Sequence, residues 1–242
     1  WRTASPYRWV GYYLPAPCHR DASWAGKRAA LEAMGWGTAV LYVGQQAWEG
    51  VPDREPGDSA AANRPIICSR TLLTDSTGRR EADDAIARAA ADGFPRGTVI
   101  FLDIEPVSTV SDALRDYYRA WTRRLVEDGR YRPGLYAHRR NAPEIIADMR
   151  AVSADGGASM AGSGRTIPLW LAAPAGDFSL AQAPRESGVE AASIWQGRLT
   201  FDEAWGGVTL RIDANVADSP SPSPAHIPRM SLCPARSTPM AA

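Results

Sequence analysis

The sequence has one lysine, three cysteines and no long apolar run. No stretch approaches the roughly 18 consecutive apolar residues of a membrane-spanning helix, so we predict no membrane span. Its 27 basic residues, of which only Lys27 is lysine, balance 27 acidic residues, and the net charge is zero. Proteins that bind nucleic acid usually show a basic excess. We therefore predict no nucleic-acid partner.

The cysteines and the missing motifs restrict the chemistry further. Cys18, Cys68 and Cys233 are too few for a disulfide scaffold, and no C-x-x-C pair indicates a zinc site. Two alternatives stay open: a Cys18–Cys68 disulfide in an exported protein, or three unpaired thiols. The glycine-rich motifs that bind nucleotide phosphates are missing. We predict neither a cofactor nor a bound metal.

The remaining composition is that of a globular domain, with 45% hydrophobic and 22% charged residues in 242. We predict one domain over residues 1–218. Residues 219–242 begin with alternating Ser and Pro, lack an apolar period and are expected to form a poorly ordered tail. Glycine-rich or proline-rich loops are expected at 48–65 and 153–166.

Short apolar runs alternate with helical patterns along the predicted domain. Apolarity on both faces, as in residues 99–102, is typical of strands in a covered parallel sheet. The predicted strands are Trp9–Leu14, Ala39–Val43, Thr98–Ile104, Gly134–Ala137, Leu169–Ala172, Ala192–Trp195 and Val208–Ile212. The predicted helices are 23–34, 79–92, 111–128 and 143–150. This order favours an α/β fold, an irregular TIM-like (β/α) barrel, over the alternative of an open doubly wound sheet.

Two carboxylates end the most apolar of these strands. Side chains alternate across a strand, so Asp103 and Glu105 share a face and Ile104 takes the other. The carboxyl ends of barrel strands carry the active site. Two acids so placed repel each other and are partly desolvated, which raises at least one pKa and suits a general acid. The alternative is a pair of solvated acids at a strand end.

A third acid and several aromatic residues also lie near predicted strand ends. Asp213 ends the last apolar run, where an Asx turn or helix cap is the alternative reading. Aromatic faces bind sugar rings and their polar tips bind hydroxyl groups, although core packing explains any single aromatic equally well. The candidate substrate-binding residues are Tyr13, Tyr136, Trp170, Trp195 and, with its amide, Gln196.

The order of these motifs resembles one family. Along the chain come G-Y-Y, F-L-D-I-E, G-L-Y, P-L-W-L-A, W-Q and I-D-A-N, over roughly residues 8–218. This order is similar to that of glycoside-hydrolase-like TIM barrels of unknown function in bacterial exported proteins, which are related to the family 25 lysozymes that cleave peptidoglycan. The resemblance implies a secreted or extracytoplasmic protein whose partner is a polysaccharide or cell-wall glycan. We expect a monomer.

The resemblance also assigns roles to individual residues. Glu105 matches the proposed general acid, and Asp103 matches the acid that orients an acetamido group or stabilises positive charge. Asp213 matches the acid of the last strand, and Tyr136, Trp170, Trp195 and Gln196 match positions that line the cleft. One position departs from the pattern, because Tyr13 stands where the lysozymes carry an aspartate on the first strand.

Three functions follow as hypotheses. A glycosidase predicts an open, acidic groove in which Glu105 is partly buried and is not paired with an arginine. A glycan-binding or cell-envelope module that has lost catalysis is the alternative that Tyr13 motivates. A weaker third hypothesis makes Asp103, Glu105 and Asp213 oxygen ligands of a hard cation.

Overall fold

A computed structural model describes residues 1–19, 21–51, 67–155 and 166–223. Seven strands and four α-helices alternate along most of this chain. The strands are β1 (Trp9–Tyr13), β2 (Gly37–Tyr42), β3 (Val99–Ile104), β4 (Arg132–His138), β5 (Leu169–Ala172), β6 (Ala192–Trp205) and β7 (Val208–Ala217). The helices are α1 (Arg28–Ala33), α2 (Asp75–Ala91), α3 (Asp112–Asp128) and α4 (Ala142–Asp155).

The seven strands form one sheet in chain order, from β1 at one edge to β7 at the other. Strands β1 to β6 run parallel, and the curled sheet forms a half-barrel with helices packed on one face. This architecture confirms the predicted α/β fold and its irregular TIM-like barrel. Parallel strands of such a barrel place their carboxyl ends at one rim, where loops form sites.

The last two strands differ from the expected all-parallel sheet. Strands β6 and β7 are antiparallel and extend beyond the barrel as a long hairpin. Gly206 and Gly207 form its turn with φ of +59° and +79°, values that suit glycine in a tight hairpin. The sequence prediction found only part of each strand, because the outer half of the hairpin is exposed and lacks a continuous apolar run.

The two faces of the sheet bury different sets of side chains. The outer face packs against the helices through residues such as Val40, Ile100 and Leu102. The inner face holds a smaller cluster made of Ala39, Leu41, Val99, Phe101, Trp170 and Ile194. Because side chains alternate along a strand, each strand of the half-barrel contributes to both clusters. The inner cluster forms the floor beneath the carboxyl ends of the strands.

The helices begin and end close to the predicted positions where capping signals exist. Ser111 accepts a hydrogen bond from the backbone of Leu114 at the start of α3, and Gly129 ends that helix with φ of +69°. Helix α2 begins four residues before the predicted start, capped by Thr74. Helix α1 is shorter than predicted. None of the helices within the described ranges is long and apolar enough to cross a bilayer.

Two further features bear on the sequence predictions. Cys18 and Cys68 form a disulfide, which decides between the two alternatives for that pair. Ser223, in the predicted tail, is buried and exchanges backbone hydrogen bonds with Thr38 and Val99. The domain boundary at residue 218 stays a prediction. Cys233, most of the two predicted loops and residues 224–242 lie outside the described residues.

Candidate functional site

The two predicted acids lie at the carboxyl end of β3, with Asp103 inside the strand and Glu105 directly after it. Phe101 belongs to the inner cluster and Ile104 to the outer one, so Asp103 lies on the inner face. Asp103 is only 5% exposed. Burial, and secondly the nearby charge of Glu105, raise its pKa well above that of an ordinary aspartate. Its Oδ1 atom is buried and has no hydrogen-bond partner among the described residues.

Glu105 follows β3 directly and is half-buried. Burial raises the pKa of its carboxyl. Among the described residues no arginine, lysine or histidine forms an ion pair with it. A carboxyl without a cationic partner in a partly dry position retains its proton to higher pH, as a general acid requires.

Gln46, which follows β2, holds the backbone of both acids. Its Nε2 atom donates to the carbonyl oxygen of Asp103 at 2.7 Å, and its Oε1 atom accepts from the backbone N–H of Glu105 at 3.0 Å. The side chain is 1% exposed. This two-sided contact fixes the direction in which the chain leaves β3, and therefore the place of the Glu105 carboxyl.

A hydrogen-bonded chain connects β4, β6 and β7 on the same rim. The Tyr136 hydroxyl donates to Oε1 of Gln196 at 2.7 Å, and Nε2 of Gln196 donates to Oδ2 of Asp213 at 3.0 Å. The backbone N–H of Thr200 binds the second oxygen of Asp213 at 2.6 Å. Asp213 is exposed, and its carboxylate is held by two hydrogen bonds from β6.

Tyr13 and Tyr136 both lie within the electrostatic influence of Asp103, Glu105 and Asp213. Burial raises the pKa of Tyr13 and of Tyr136, and the negative charges of Asp103, Glu105 and Asp213 raise both further. Both hydroxyls therefore stay protonated and neutral. The structure brings together Tyr13, Asp103, Glu105, Tyr136, Gln196 and Asp213 at one rim of the half-barrel.

The two predicted tryptophans have different positions. Trp170 lies in the inner cluster, where it packs edge-on against Phe101 and Tyr136 and donates to Oδ1 of Asn215 at 2.9 Å. It also lines a groove together with Tyr13, Gln196 and Asp213. Trp195 lies on the opposite face of β6, 2% exposed, against Phe178. Its predicted place in the cleft is wrong, because the alternation that turns Gln196 inward turns Trp195 outward.

Two grooves adjoin the site. One, of about 670 Å³, begins at Pro106 beside Glu105 and is lined by Ala47, Trp48, Glu49, Arg70, Pro106, Val107, Ser108, Thr109, His138 and Arg140. The other, of about 700 Å³, follows the open seam between β1 and β7 and includes Tyr13, Gln196 and Asp213. The first groove carries two arginines and one glutamate, so the expectation of an acidic groove does not hold there.

The hypothesis of a cation site has no geometric support in the described residues. There, no group of three or more histidine, cysteine, aspartate or glutamate side chains is close enough to hold a metal ion. The carboxylates of Asp103, Glu105 and Asp213 share a rim, and the contacts that hold them are hydrogen bonds with amides and backbone groups.

Comparison with known protein families assigns this chain to one of them. The family model described as "Rv2525c-like, glycoside hydrolase-like domain" matches residues 1–217. The chain belongs to this family. No curated protein matches it.

Two solved structures share the fold of this Rv2525c-like domain at low identity, and a third is similar to it with a lower TM-score. An uncharacterized B. stearothermophilus protein is 22% identical, with a TM-score of 0.52 over 90% of this chain and 87% of the other. The Clostridium perfringens spore cortex lytic enzyme SleM is 14% identical, with a TM-score of 0.50 over 87% of this chain and 60% of the other. The Mycobacterium tuberculosis Tat-secreted protein Rv2525c, in complex with L-tartrate, is 18% identical, with a TM-score of 0.45 over 90% and 86%.

The sequence gives no role to Gln46 of this Rv2525c-like site, and it places His19 only after a predicted strand end, from which it could reach a cleft. Gln46 follows an apolar strand as Gln196 follows Trp195, and that shared pattern is the signal that identifies it. His19 stacks on Tyr13 with ring centroids 4.6 Å apart, and its Nε2 atom is buried without a partner among the described residues. No sequence spacing indicates this contact, because it depends on how the chain folds back after β1.

Proposed function

We propose that this domain is a glycosidase that hydrolyses peptidoglycan or a related polysaccharide, with Glu105 as its general acid. One observation carries the proposal. Glu105 is a half-buried carboxyl with a raised pKa at the end of a barrel strand, unpaired with any cation of the described chain, and the next residue, Pro106, lines a groove. Membership of a glycoside hydrolase-like family supports the same reaction class.

The reaction is a proton transfer followed by addition of water. Glu105 donates its proton to the glycosidic oxygen as the bond from that oxygen to the anomeric carbon breaks. The positive charge on the sugar ring is stabilised by the carboxylate of Asp213. A water molecule then adds its oxygen to the anomeric carbon and gives one proton back to Glu105.

Asp103 has a supporting role in this proposal. Its pKa is raised, and its Oδ1 atom has no hydrogen-bond partner among the described residues. Because buried polar atoms are normally hydrogen-bonded, we propose that a polar group of the substrate binds this atom. A sugar acetamido group fits, because it offers both a donor and an acceptor. Gln46 binds the backbone carbonyl of Asp103 and the backbone N–H of Glu105, so it fixes the position of this contact relative to the Glu105 carboxyl.

The test is reducing-end release from purified peptidoglycan and a panel of other polysaccharides. Glu105→Gln preserves the size of the side chain and removes the acid, and we expect release to fall about 100-fold or more. Glu190→Gln, at an exposed glutamate before β6, is the matched control and should leave release unchanged. Release that is equal in the two variants would exclude Glu105 as the acid.

A binding module is the second candidate, and Tyr13 is the observation that favours it. A neutral tyrosine occupies the first-strand position at which the related lysozymes carry an aspartate. The site therefore has one negative charge fewer with which to stabilise a cationic transition state. This candidate predicts that native protein and Glu105→Gln sediment equally with one polymer, while neither shortens its chains.

We also propose an extracytoplasmic location. The Cys18–Cys68 disulfide supports it, because disulfides persist in oxidising compartments and are rare in the cytosol. Thiol alkylation of the protein taken from cell fractions would test the location. Modification of Cys18 and Cys68 without prior reduction would contradict it. The monomeric state and a glycan as the sole partner stay predictions.

A further inference from the structure

The groove that begins at Pro106 contains an arginine that the proposed hydrolysis does not use. Arg70 and Arg140 line this groove together with Glu49, and Arg70 has other contacts. Arg140 is exposed and has no ion-pair partner among the described residues. Guanidinium groups bind carboxylates and phosphates through paired hydrogen bonds. Arg140 therefore offers an anion in this groove a binding group.

Trp48 adds an aromatic surface to the same groove. Its side chain is 41% exposed, although tryptophan is normally well buried. Gly50, at φ of +105°, passes so close that a Cβ atom there would lie 2.7 Å from the ring. The backbone at Gly50 therefore packs against the Trp48 ring, which remains accessible from the groove. An exposed indole offers a sugar ring an apolar surface for stacking.

The walls of the groove are tied together before any ligand binds. Nδ1 of His138 accepts from the backbone N–H of Arg140 at 3.2 Å, which shapes the turn after β4. The buried side chain of Asn141 accepts from the backbone N–H of Val107 at 3.1 Å, which joins this turn to the loop after β3. Preorganised walls reduce the entropic cost of binding.

We infer that this groove, defined by Trp48, Arg140 and the loop Pro106–Thr109, is a subsite for an anionic sugar residue, so that the substrate is an acidic glycan. Trp48 stacks on the ring, and Arg140 binds its carboxylate or phosphoryl group. The inference rests on the proposed function and names the class of its substrate. The loop Pro106–Thr109 begins next to Glu105, which places the anionic sugar adjacent to the bond that is cleaved.

Binding to the Glu105→Gln protein, which preserves the groove and stops turnover, tests the inference by calorimetry. The probes are a galacturonic-acid tetrasaccharide, a neutral chitin tetrasaccharide and the same chitin tetrasaccharide carrying a 6-phosphate. We expect at least one anionic probe to bind about tenfold more tightly than the neutral one at low salt. Added salt should weaken that binding, since it screens exposed charges. The two anionic probes distinguish a carboxylate from a phosphate.

Variants in the same background separate the contacts. Arg140→Gln should lose about tenfold in affinity for the anionic probe and nothing for the neutral one. Arg139→Gln removes the neighbouring exposed arginine, which does not line the groove, and is the matched control. Glu49→Gln should strengthen anion binding. Trp48→Ala should weaken the binding of charged and neutral probes alike.

Several results would overturn the inference. Failure of both anionic probes to bind, or equal affinity for charged and neutral probes, would do so. Equal losses in Arg139→Gln and Arg140→Gln would show a diffuse charge effect without a subsite. The proposed hydrolysis is tested separately by reducing-end release from the native protein. Release by the native protein that is as fast from neutral polymers as from acidic ones would preserve the proposed function and reject this inference.

Discussion

Glu81 accepts a hydrogen bond of 2.7 Å from the side-chain amide of Gln45, inside the contact between α2, α3 and the end of β2. The same carboxyl accepts from the hydroxyl of Tyr117 and from the backbone N–H of Gln45. Glu81 is fully buried. Gln45 precedes Gln46, so the turn that holds the two candidate catalytic acids is itself fixed by a buried ionisable group.

The stability of the protein should therefore fall as pH rises. Burial raises the pKa of Glu81 from 4.5 to about 7, with Tyr42, Tyr117 and Arg80 around it. Native Glu81 holds its proton more tightly than the unfolded chain does, so its contribution is complete below pH 4.5 and is lost as pH rises through about 7. The shift corresponds to about 3 kcal/mol in the free energy of unfolding.

Urea unfolding at pH 5 and pH 8 measures this effect. Glu81→Gln cannot ionise and should remove the part of the pH dependence that Glu81 contributes, whereas the raised pKa values of Asp103 and Glu105 leave the rest. Its amide faces that of Gln45 and lowers stability at both pH values. Glu190→Gln is exposed and should retain the native pH dependence. A Glu81→Gln protein whose stability changes with pH as steeply as the native protein would contradict the assignment.

Gln46→Ala tests whether the turn positions the acids. The change removes the hydrogen bonds to the buried Asp103 carbonyl and to the part-buried Glu105 N–H. We expect the free energy of unfolding to fall by about 2 to 4 kcal/mol, from about 1 to 2 kcal/mol for each group. The maximal rate of reducing-end release should fall further than the Michaelis constant rises.

A matched change distinguishes positioning from general destabilisation. Ser187→Ala removes a side chain that caps a surface turn by accepting from the backbone N–H of Val189 at 3.3 Å, and Ser187 lines neither groove. It should leave the pH profile of release unchanged. Gln46→Ala should move that profile, because the environment of the Glu105 carboxyl changes with its backbone. An unchanged profile in Gln46→Ala would leave Gln46 a purely structural role.

Much of the fold could be predicted because the signals are local. The apolar run Thr98–Ile104 predicts β3, which spans Val99–Ile104. Ser111 and Gly129 mark the two ends of α3. Only part of β6 and part of β7 are predicted, because the outer half of their hairpin lacks buried residues and depends on cross-strand pairing, which no single run of sequence displays.

The sequence predicts which face of a strand each site residue occupies, because side chains alternate along a strand. It does not predict contacts between residues that are distant in the sequence. Alternation places Asp103 inward and Ile104 outward, and the same rule, applied to Trp195 and Gln196, excludes a shared face. Gln46 reaches β3 only because β2 and β3 are neighbours in the sheet. The arginines of the groove come from separate loops, so overall composition gave no indication of their local charge.

Ser223 predicts that the folded unit extends past residue 218. Its Oγ atom accepts from the backbone N–H of Val40 at 2.6 Å, and its carbonyl accepts from that of Val99 at 2.8 Å. A chain ending at residue 218 should therefore be less stable than one ending at 223, with a melting temperature lower by several degrees. Ser223→Ala leaves one buried N–H unpaired and should cost about 1 to 3 kcal/mol.

Ser221→Ala is the comparison for that variant. The Ser221 hydroxyl lies 3.4 Å from the backbone N–H of Thr38, a weaker contact than that of Ser223. We expect a smaller loss of stability in thermal unfolding. Equal melting temperatures for chains ending at 218 and 223 would instead place the end of the folded unit where the sequence predicts it.

Substitutions of Tyr13 can add a negative charge to the site, and an uncharged substitution of the same size is available as the control. Its raised pKa keeps it neutral beside Asp103 and Glu105. Tyr13→Asp introduces a carboxylate there, whereas Tyr13→Asn introduces a side chain of the same size without charge. Both lose the stacking on His19 equally, so the difference between them isolates the charge.

A negative charge near Glu105 disfavours ionisation of its carboxyl and raises its pKa. Since the acid must be protonated to act, the fall in release at high pH should shift to higher pH in Tyr13→Asp relative to Tyr13→Asn. The measurement is the pH profile of the specificity constant on one polysaccharide. Coincident profiles would mean that position 13 does not reach the Glu105 carboxyl electrostatically, and the tyrosine would then not explain a loss of catalysis in this barrel.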